Sequence, residues 1–236
     1  MSSVLIVESK NDQLFVQALV EHLNLENIEL DEPLCLIDEY ECLNGLSRKR
    51  LIAALDSLKC DLTTHDIQAI GIILDSDGRT KERLQLINNA VKEVFATREQ
   101  FLRAGELITV SVRVDDDDIN VRLACFLTNV DGQGELETVL RAIKNKSSPY
   151  ADCLDEWKRC LEQNGKTISD KEFDKFWVNN YIRFDTCSKK EKKQAHRKCS
   201  MQNFEYVMQR KNIWDFEHSV LDELKIFLSL FNASST

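Results

Sequence analysis

Two short apolar runs end abruptly on carboxylates. Val4-Leu5-Ile6-Val7 is followed directly by Glu8, and the run from Ile67 to Leu74 ends in Asp75-Ser76-Asp77-Gly78. As neighbouring strands, these runs would bring Glu8, Asp75 and Asp77 together at their carboxyl ends, where open parallel sheets bind ligands. Strand alternation puts Asp75 and Asp77 on one side, and Gly78 permits a tight turn away from them. Crowded carboxylates repel one another, and a bound divalent cation relieves that cost. Oxygen-only donors suit Mg2+ or Mn2+ rather than zinc. The plain alternatives are a surface turn for Asp75-Ser76-Asp77 and a helix cap for Glu8.

A second chemical signal is cationic. Ser188 to Lys198 carries six Lys or Arg and one Glu, and phosphates attract such a stretch without regard to sequence. Lys189, Lys190, Lys192, Lys193, Arg197 and Lys198 are therefore candidate nucleic-acid contacts, with a solvated helix face as the alternative. Trp177, Tyr181 and Phe184 lie upstream; helical spacing assigns them to a core, and stacking on bases is the other use of such rings.

These residues need elements to hold them. The chain has 236 residues, 43% hydrophobic and 30% charged, with only 2 Pro and 7 Gly, so it encloses a real core and is not a disordered or fibrous chain. Helical stripes follow each apolar run: Leu14, Phe15, Ala18 and Leu19 after a cap at Asn11 or Asp12; Leu51, Ile52, Leu55 and Leu58 from Ser47; and Leu84, Ile87, Ala90, Val91 and Val94 within 80–97. A further strand is expected at Leu34-Cys35-Leu36-Ile37. Strands alternating with helices imply an α/β fold with a mostly parallel, Rossmann-like sheet. Leu107–Val114 and Val121–Leu127 read as a hairpin or adjacent strands. Asp115 to Asp118 fall in the connection, a solvated loop tip, because four consecutive side chains cannot all face one site. A turn at Asp131-Gly132-Gln133-Gly134 opens another helix with Leu136, Val139, Leu140 and Ile143. Beyond Tyr150 the periodicity is helical, with stripes at Leu154, Trp157 and Leu161 and at Phe173, Phe176 and Trp177, and a terminal helix from Trp214 to Leu228.

The net charge of −9 argues against bulk polyanion binding, yet it is unevenly spread. Residues 1–140 hold 26 acidic and 13 basic side chains, whereas residues 141–236 hold 14 acidic and 18 basic. The composition shifts near Lys144–Pro149, which divides an α/β domain at 1–145 from a helical region at 146–236 packed on it. Eight scattered cysteines, several in apolar runs and none in a CxxC pair, read as free thiols of a cytoplasmic protein; a partial metal site of Cys187, His196 and Cys199 is the alternative. No apolar run is long enough to cross a membrane, and the opening residues lack the basic start of a signal peptide.

Val4-Leu5-Ile6-Val7-Glu8-Ser9-Lys10-Asn11-Asp12 together with Ile72-Ile73-Leu74-Asp75-Ser76-Asp77 resembles the Toprim domain of topoisomerases, bacterial primases and the overcoming-lysogenization-defect nucleases. The likeness covers roughly residues 1–140 and is strongest to small stand-alone proteins of the nuclease branch. It implies that Asp12, four positions after Glu8, and Glu137, in Gly134-Glu135-Leu136-Glu137, join Glu8, Asp75 and Asp77 as metal ligands. The activity implied is metal-dependent phosphodiester cleavage, with Glu8 as ligand or general acid/base and Lys10 or Arg79 steadying a phosphate oxygen. Ser9 stands where the family usually has Gly.

Three functional readings follow. The first is a Toprim-type nuclease, in phage defence with a separate ATPase, since the chain has no Gly-x-x-x-x-Gly-Lys-Ser/Thr loop, and with homo-oligomers among its expected partners. The second is a catalytically inactive binding or regulatory subunit. The third is a haloacid-dehalogenase-like phosphohydrolase, since Asp75-Ser76-Asp77-Gly78-Arg79-Thr80 approaches that family's motif, although Arg79 interrupts it.

Overall fold

Apolar runs too continuous for a half-exposed strand become the centre of the sheet. In the computed structural model, which describes residues 2–35, 46–97, 101–114 and 117–232, β1 (Ser2–Val7) and β3 (Ile67–Asp75) are buried along nearly all their length. This is the pattern of parallel strands covered on both faces. With β2 (Ile28–Leu30), β4 (Leu107–Val114) and β5 (Asp117–Thr128) they form a five-stranded sheet of order β2-β1-β3-β5-β4. All pairings are parallel except β4 with β5. The fold is α/β, a mostly parallel sheet flanked by helices, as the alternation of elements implies.

The helices are α1 (Lys10–His22), α2 (Arg48–Asp61) and α3 (Thr80–Phe95). Each buries one stripe: Phe15, Val16 and Leu19 on α1, Leu51, Leu55 and Leu58 on α2, Ile87, Ala90, Val91 and Val94 on α3. Their cooperative burial, at roughly 25 cal/mol per Å2 of apolar surface, is what holds marginal helices of this length in place.

The chain divides into two units, Met1–Thr128 with Asp222–Thr236, and Asn129–Leu221. Helices α4 (Leu136–Ala142), α5 (Pro149–Gln163), α6 (Asp170–Asn180), α7 (Ala195–Lys198) and α8 (Phe204–Arg210) belong to the second unit. Its core is aromatic: Trp177 stacks on Tyr181 at 5.3 Å between ring centres, and Tyr181 meets Trp214 at 5.4 Å. The Tyr181 hydroxyl donates to the Ile213 carbonyl and accepts from the Lys146 N–H, both at 3.0 Å. The last helix, α9 (Asp222–Ser229), returns to the first unit, where Phe227 lies 5.4 Å from Phe126. There Gly71 is required by close approach, because a Cβ would stand 2.7 Å from the Phe231 ring and 2.4 Å from Leu5.

Several expectations change. The unit boundary follows Thr128 rather than residue 145, because α4 is tied to α6: Thr138 Oγ1 donates to Asp174 at 2.7 Å and Arg141 pairs with Asp174 at 2.9 Å. The composition shift marks the start of α5, where Pro149 fits the first helical turn. The second strand lies earlier, at Ile28–Leu30, and Cys35 makes only a single bridge to Ser9; Leu36 and Ile37 fall outside the described residues. Leu107–Val114 does pair with the next strand as a hairpin, but that strand starts at Asp117, opposite Val114. Asp117 and Asp118 are thus exposed strand residues, and Asp115 and Asp116 lie outside the described residues. The terminal helix is shorter than its periodicity suggests, since Trp214 bridges to Lys144 instead. The cysteines are not all free: Cys187 and Cys199 are disulfide-bonded, and Cys60, Cys153 and Cys160 are exposed. Among the described residues, no helix is long and apolar enough to cross a membrane.

Candidate functional site

Parallel neighbours end side by side, so Glu8 after β1 and Asp75 at the end of β3 meet. Val7 pairs with Ile73, and the Asp75 N–H donates to Glu8 Oε2 at 3.2 Å. Asp77 arrives by another route than alternation. The strand stops at Asp75, and Asp77 and Gly78 both take left-handed backbone, φ 48° and 67°, a conformation Asp tolerates better than most side chains. The turn closes with the Arg79 N–H on the Ser76 carbonyl at 2.8 Å.

The centre of the cluster is a residue that sequence reasoning missed. Arg83 on α3 has a side chain only 7% exposed. Its Nη2 donates to Asp77 Oδ2 and lies 3.5 Å from Glu8 Oε1. Glu8 and Asp77 are themselves 15% and 12% exposed. A buried guanidinium is tolerable only with such partners. A signal was present: Arg83 shares the helical stripe of Ile87, Ala90, Val91 and Val94, all buried. Burial lifts the Glu8 carboxyl above its ordinary value; Arg83 opposes that shift, while Asp12 and Asp77 add to it. Arg83 is in turn raised despite its own burial, by Glu8 first and then Asp77.

The remaining candidates are placed less centrally. Asp12 is buried, but it is the third helical residue of a capping box: Ser9, in extended conformation, donates its N–H to Asp12 Oδ2 at 2.9 Å and accepts from the Asp12 N–H. Ser9, not Asn11 or Asp12, is therefore the cap of α1. Lys10 is exposed and donates to Gln13 at 2.7 Å. Arg79 is 64% exposed, with Nη2 3.6 Å from Asp77. Glu137 lies in the first turn of α4, in the second unit, where its neighbour Glu135 is buried against Lys171 at 2.6 Å.

The donors at the strand ends are hard oxygens, the chemistry of Mg2+ or Mn2+. Arg83 already supplies a positive charge among them. Among the described residues, the group whose three ligand atoms lie within 4.8 Å of one another is instead Cys187, Glu191 and Cys199. That group does not fit a cation. Its two sulfurs are bonded to each other, and the buried Lys211 ammonium lies 3.1 Å from Glu191 and 3.8 Å from the Cys199 sulfur. Hydrogen bonds from Ser188 and Lys211 hold the Glu191 carboxyl below its usual value, outweighing the opposite effect of burial. His196 is outside this cluster and lines a cavity.

The disulfide closes the loop that carries the cationic stretch, its ends separated by 12 in sequence. Lys189, Lys190, Lys192, Lys193 and Arg197 are exposed on it, across a 3-10 turn (Glu191–Gln194) and α7. Lys198 lies over the Tyr206 ring at 5.7 Å. Trp177 and Tyr181 are core, whereas Phe184 is 48% exposed.

Fold and site together define a class: an α/β protein whose strand ends carry a buried carboxylate–arginine cluster, with a helical unit presenting a cationic loop. Residues 2–232 match the family model described as Protein of unknown function (DUF3226), and the chain belongs to that family. No curated protein and no solved structure matches the chain.

Proposed function

We propose that the first unit hydrolyses phosphodiester bonds of nucleic acid with Mg2+ or Mn2+ bound at its strand ends. The observation that carries this reading is the gathering of Glu8, Asp75 and Asp77 around Arg83 at the carboxyl ends of adjacent parallel strands. The resemblance of Glu8 to Asp12 and Ile72 to Asp77 to the Toprim pattern supports it. Asp75 and Asp77 would hold the cation, whose contribution when bound would be Lewis-acid polarisation of a phosphate and a lowered pKa of bound water. Glu8, held by the Asp75 N–H and lifted by burial above its ordinary carboxylate value, is the residue suited to take or return a proton. Arg83 orients Glu8 and Asp77 and keeps their charges tolerable in a desolvated place. Arg79 is exposed enough to meet a phosphate oxygen. A phage-defence role and a separate ATPase rest on the resemblance, and a cytoplasmic setting rests on the cysteines outside the Cys187–Cys199 pair.

One observation favours a second reading, that of a binding or regulatory subunit without catalysis. Arg83 stands where a metal's positive charge is expected, and it offsets part of the cluster's negative charge. Incubating the protein with plasmid, single-stranded DNA and RNA, with and without Mg2+ or Mn2+, separates the two. Cleavage that needs metal and falls at least 100-fold in both Glu8→Gln and Asp75→Asn supports hydrolysis. Intact substrates in every condition support the regulatory reading. Hydrolysis of small phosphate esters that needs Asp75 but not Glu8 would overturn both.

A further inference from the structure

The second unit carries four large aromatic side chains at its surface: Tyr150 at 63% exposure, Trp157 at 40%, Phe176 at 42% and Phe184 at 48%. Exposed rings have a hydration cost that a ligand covering them relieves. They are not scattered. Trp157 backs Phe176 at 5.4 Å and Tyr150 backs Phe184 at 6.0 Å, so each of the outer rings is braced by another.

Phe176 and Phe184 line one cavity of about 580 Å3, together with Asn179, Asn180, Arg183 and His196. That volume lies within the range of small-ligand sites. Its wall includes a π-helical turn, Tyr181–Asp185, an irregularity concentrated at functional places. The turn is anchored by Asp185, which accepts from the N–H groups of Tyr150 and Ala151 at 3.0 Å. Arg183 and Phe184 are thereby held on a rigid support.

The stapled loop adjoins this cavity, since His196 and Cys199 belong to both. Among the described residues, Lys189, Lys190, Lys192, Lys193, Arg197 and Arg183 make no ion pair, while Arg141, Lys144, Lys158 and Lys211 of the same unit each have an acidic partner. Cations left uncompensated beside braced rings match a ligand with alternating anionic groups and flat bases. A duplex hides its bases in the stack, whereas a single strand offers them to aromatic side chains.

We infer that the second unit binds single-stranded nucleic acid, bases against Phe176 and Phe184 in the cavity and phosphates along Lys189–Arg197. This deepens the proposed function by naming the strandedness of the substrate, and it rests on that reading for the class of ligand. The test is fluorescence anisotropy of the full chain with a labelled oligonucleotide of about 16 nucleotides as DNA or RNA, its duplex, and polyglutamate, all in EDTA. Excluding cleavage in this way makes the outcome independent of whether the first unit hydrolyses anything.

The expected result is single-strand binding at least tenfold tighter than duplex binding. Phe176→Ala with Phe184→Ala weakens it about tenfold or more and leaves its salt dependence unchanged. Lys189→Gln, Lys190→Gln, Lys192→Gln and Lys193→Gln together flatten the dependence of log affinity on log salt by up to about 3. Phe176→Leu with Phe184→Leu keeps the apolar volume and removes the rings, and it must weaken binding too, which guards against a folding defect in the alanine variant. Equal affinity for single strand and duplex overturns the inference, as does wild-type affinity in the leucine variant. Binding of polyglutamate without any oligonucleotide also overturns it and points to an acidic protein partner.

Discussion

The two units treat charge in opposite ways. In the first, Glu8, Asp77 and Arg83 are drawn out of water and pair with one another at the ends of a sheet. In the second, cations stay in water on a loop whose shape is kept by a covalent link. Burial makes each partner depend on the others, because an isolated charge in a low-dielectric place is very costly. Exposure makes each cation nearly independent and leaves its field available to a ligand.

This contrast can be tested with convenient probes, because Trp157, Trp177 and Trp214, the protein's 3 tryptophans, all lie in the second unit. Tryptophan fluorescence therefore follows that unit, while far-ultraviolet circular dichroism follows both. Arg83→Met gives the largest expected effect. Two carboxylates lose a buried partner, and the urea transition seen by circular dichroism drops by about 3–5 kcal/mol while the fluorescence transition stays in place. A shift of both together would show that the units unfold as one and would remove the contrast. Cys187→Ser with Cys199→Ser comes next, lowering the fluorescence transition by about 3 kcal/mol for a loop of this size. Wild-type protein in reductant should match it, and a Lys189→Gln control should not move.

The smallest effect is in pH, and its sign differs between the units. Glu8 has a raised folded-state value, so its contribution is fully present below about 4.5 and is lost as pH rises through the raised value. Glu191 has a lowered value, so its contribution is present above about 4.5 and is lost as pH falls through the lowered one. Glu8→Gln should therefore remove a stability decline on the alkaline side of 4.5, and Glu191→Gln a decline on the acid side. Parallel pH profiles in the two variants would contradict the assignment. Any metal-dependent cleavage should rise with pH through the Glu8 value and lose that limb in Glu8→Gln.

How much of this was legible in the sequence follows from the same physics. Val4–Val7 and Ile67–Leu74 announced themselves because double burial demands uninterrupted apolar side chains, and Glu8 and Asp75 stood out where those runs stop. The edge strand Ile28–Leu30 gave no such signal, being short and only half-buried. Asp77 was placed correctly at the site for the wrong reason, since a left-handed turn rather than strand alternation carries it there. Arg83 stayed hidden because a single Arg on an apolar stripe looks like a surface charge until its partners, distant in sequence, are brought to it. The Cys187–Cys199 pair was beyond reach because spacing alone does not fix connectivity among eight cysteines.

The return of α9 to the first unit fixes an order of events during synthesis. The ribosome makes β1 to β5, then the whole of the second unit, and only then the helix whose Phe227 meets Phe126 and whose neighbour Phe231 fills the space above Gly71. The cationic loop can fold and staple while the sheet still shows that apolar face. On the ribosome, the whole sequence of the second unit therefore emerges before the helix that covers this apolar face of the first.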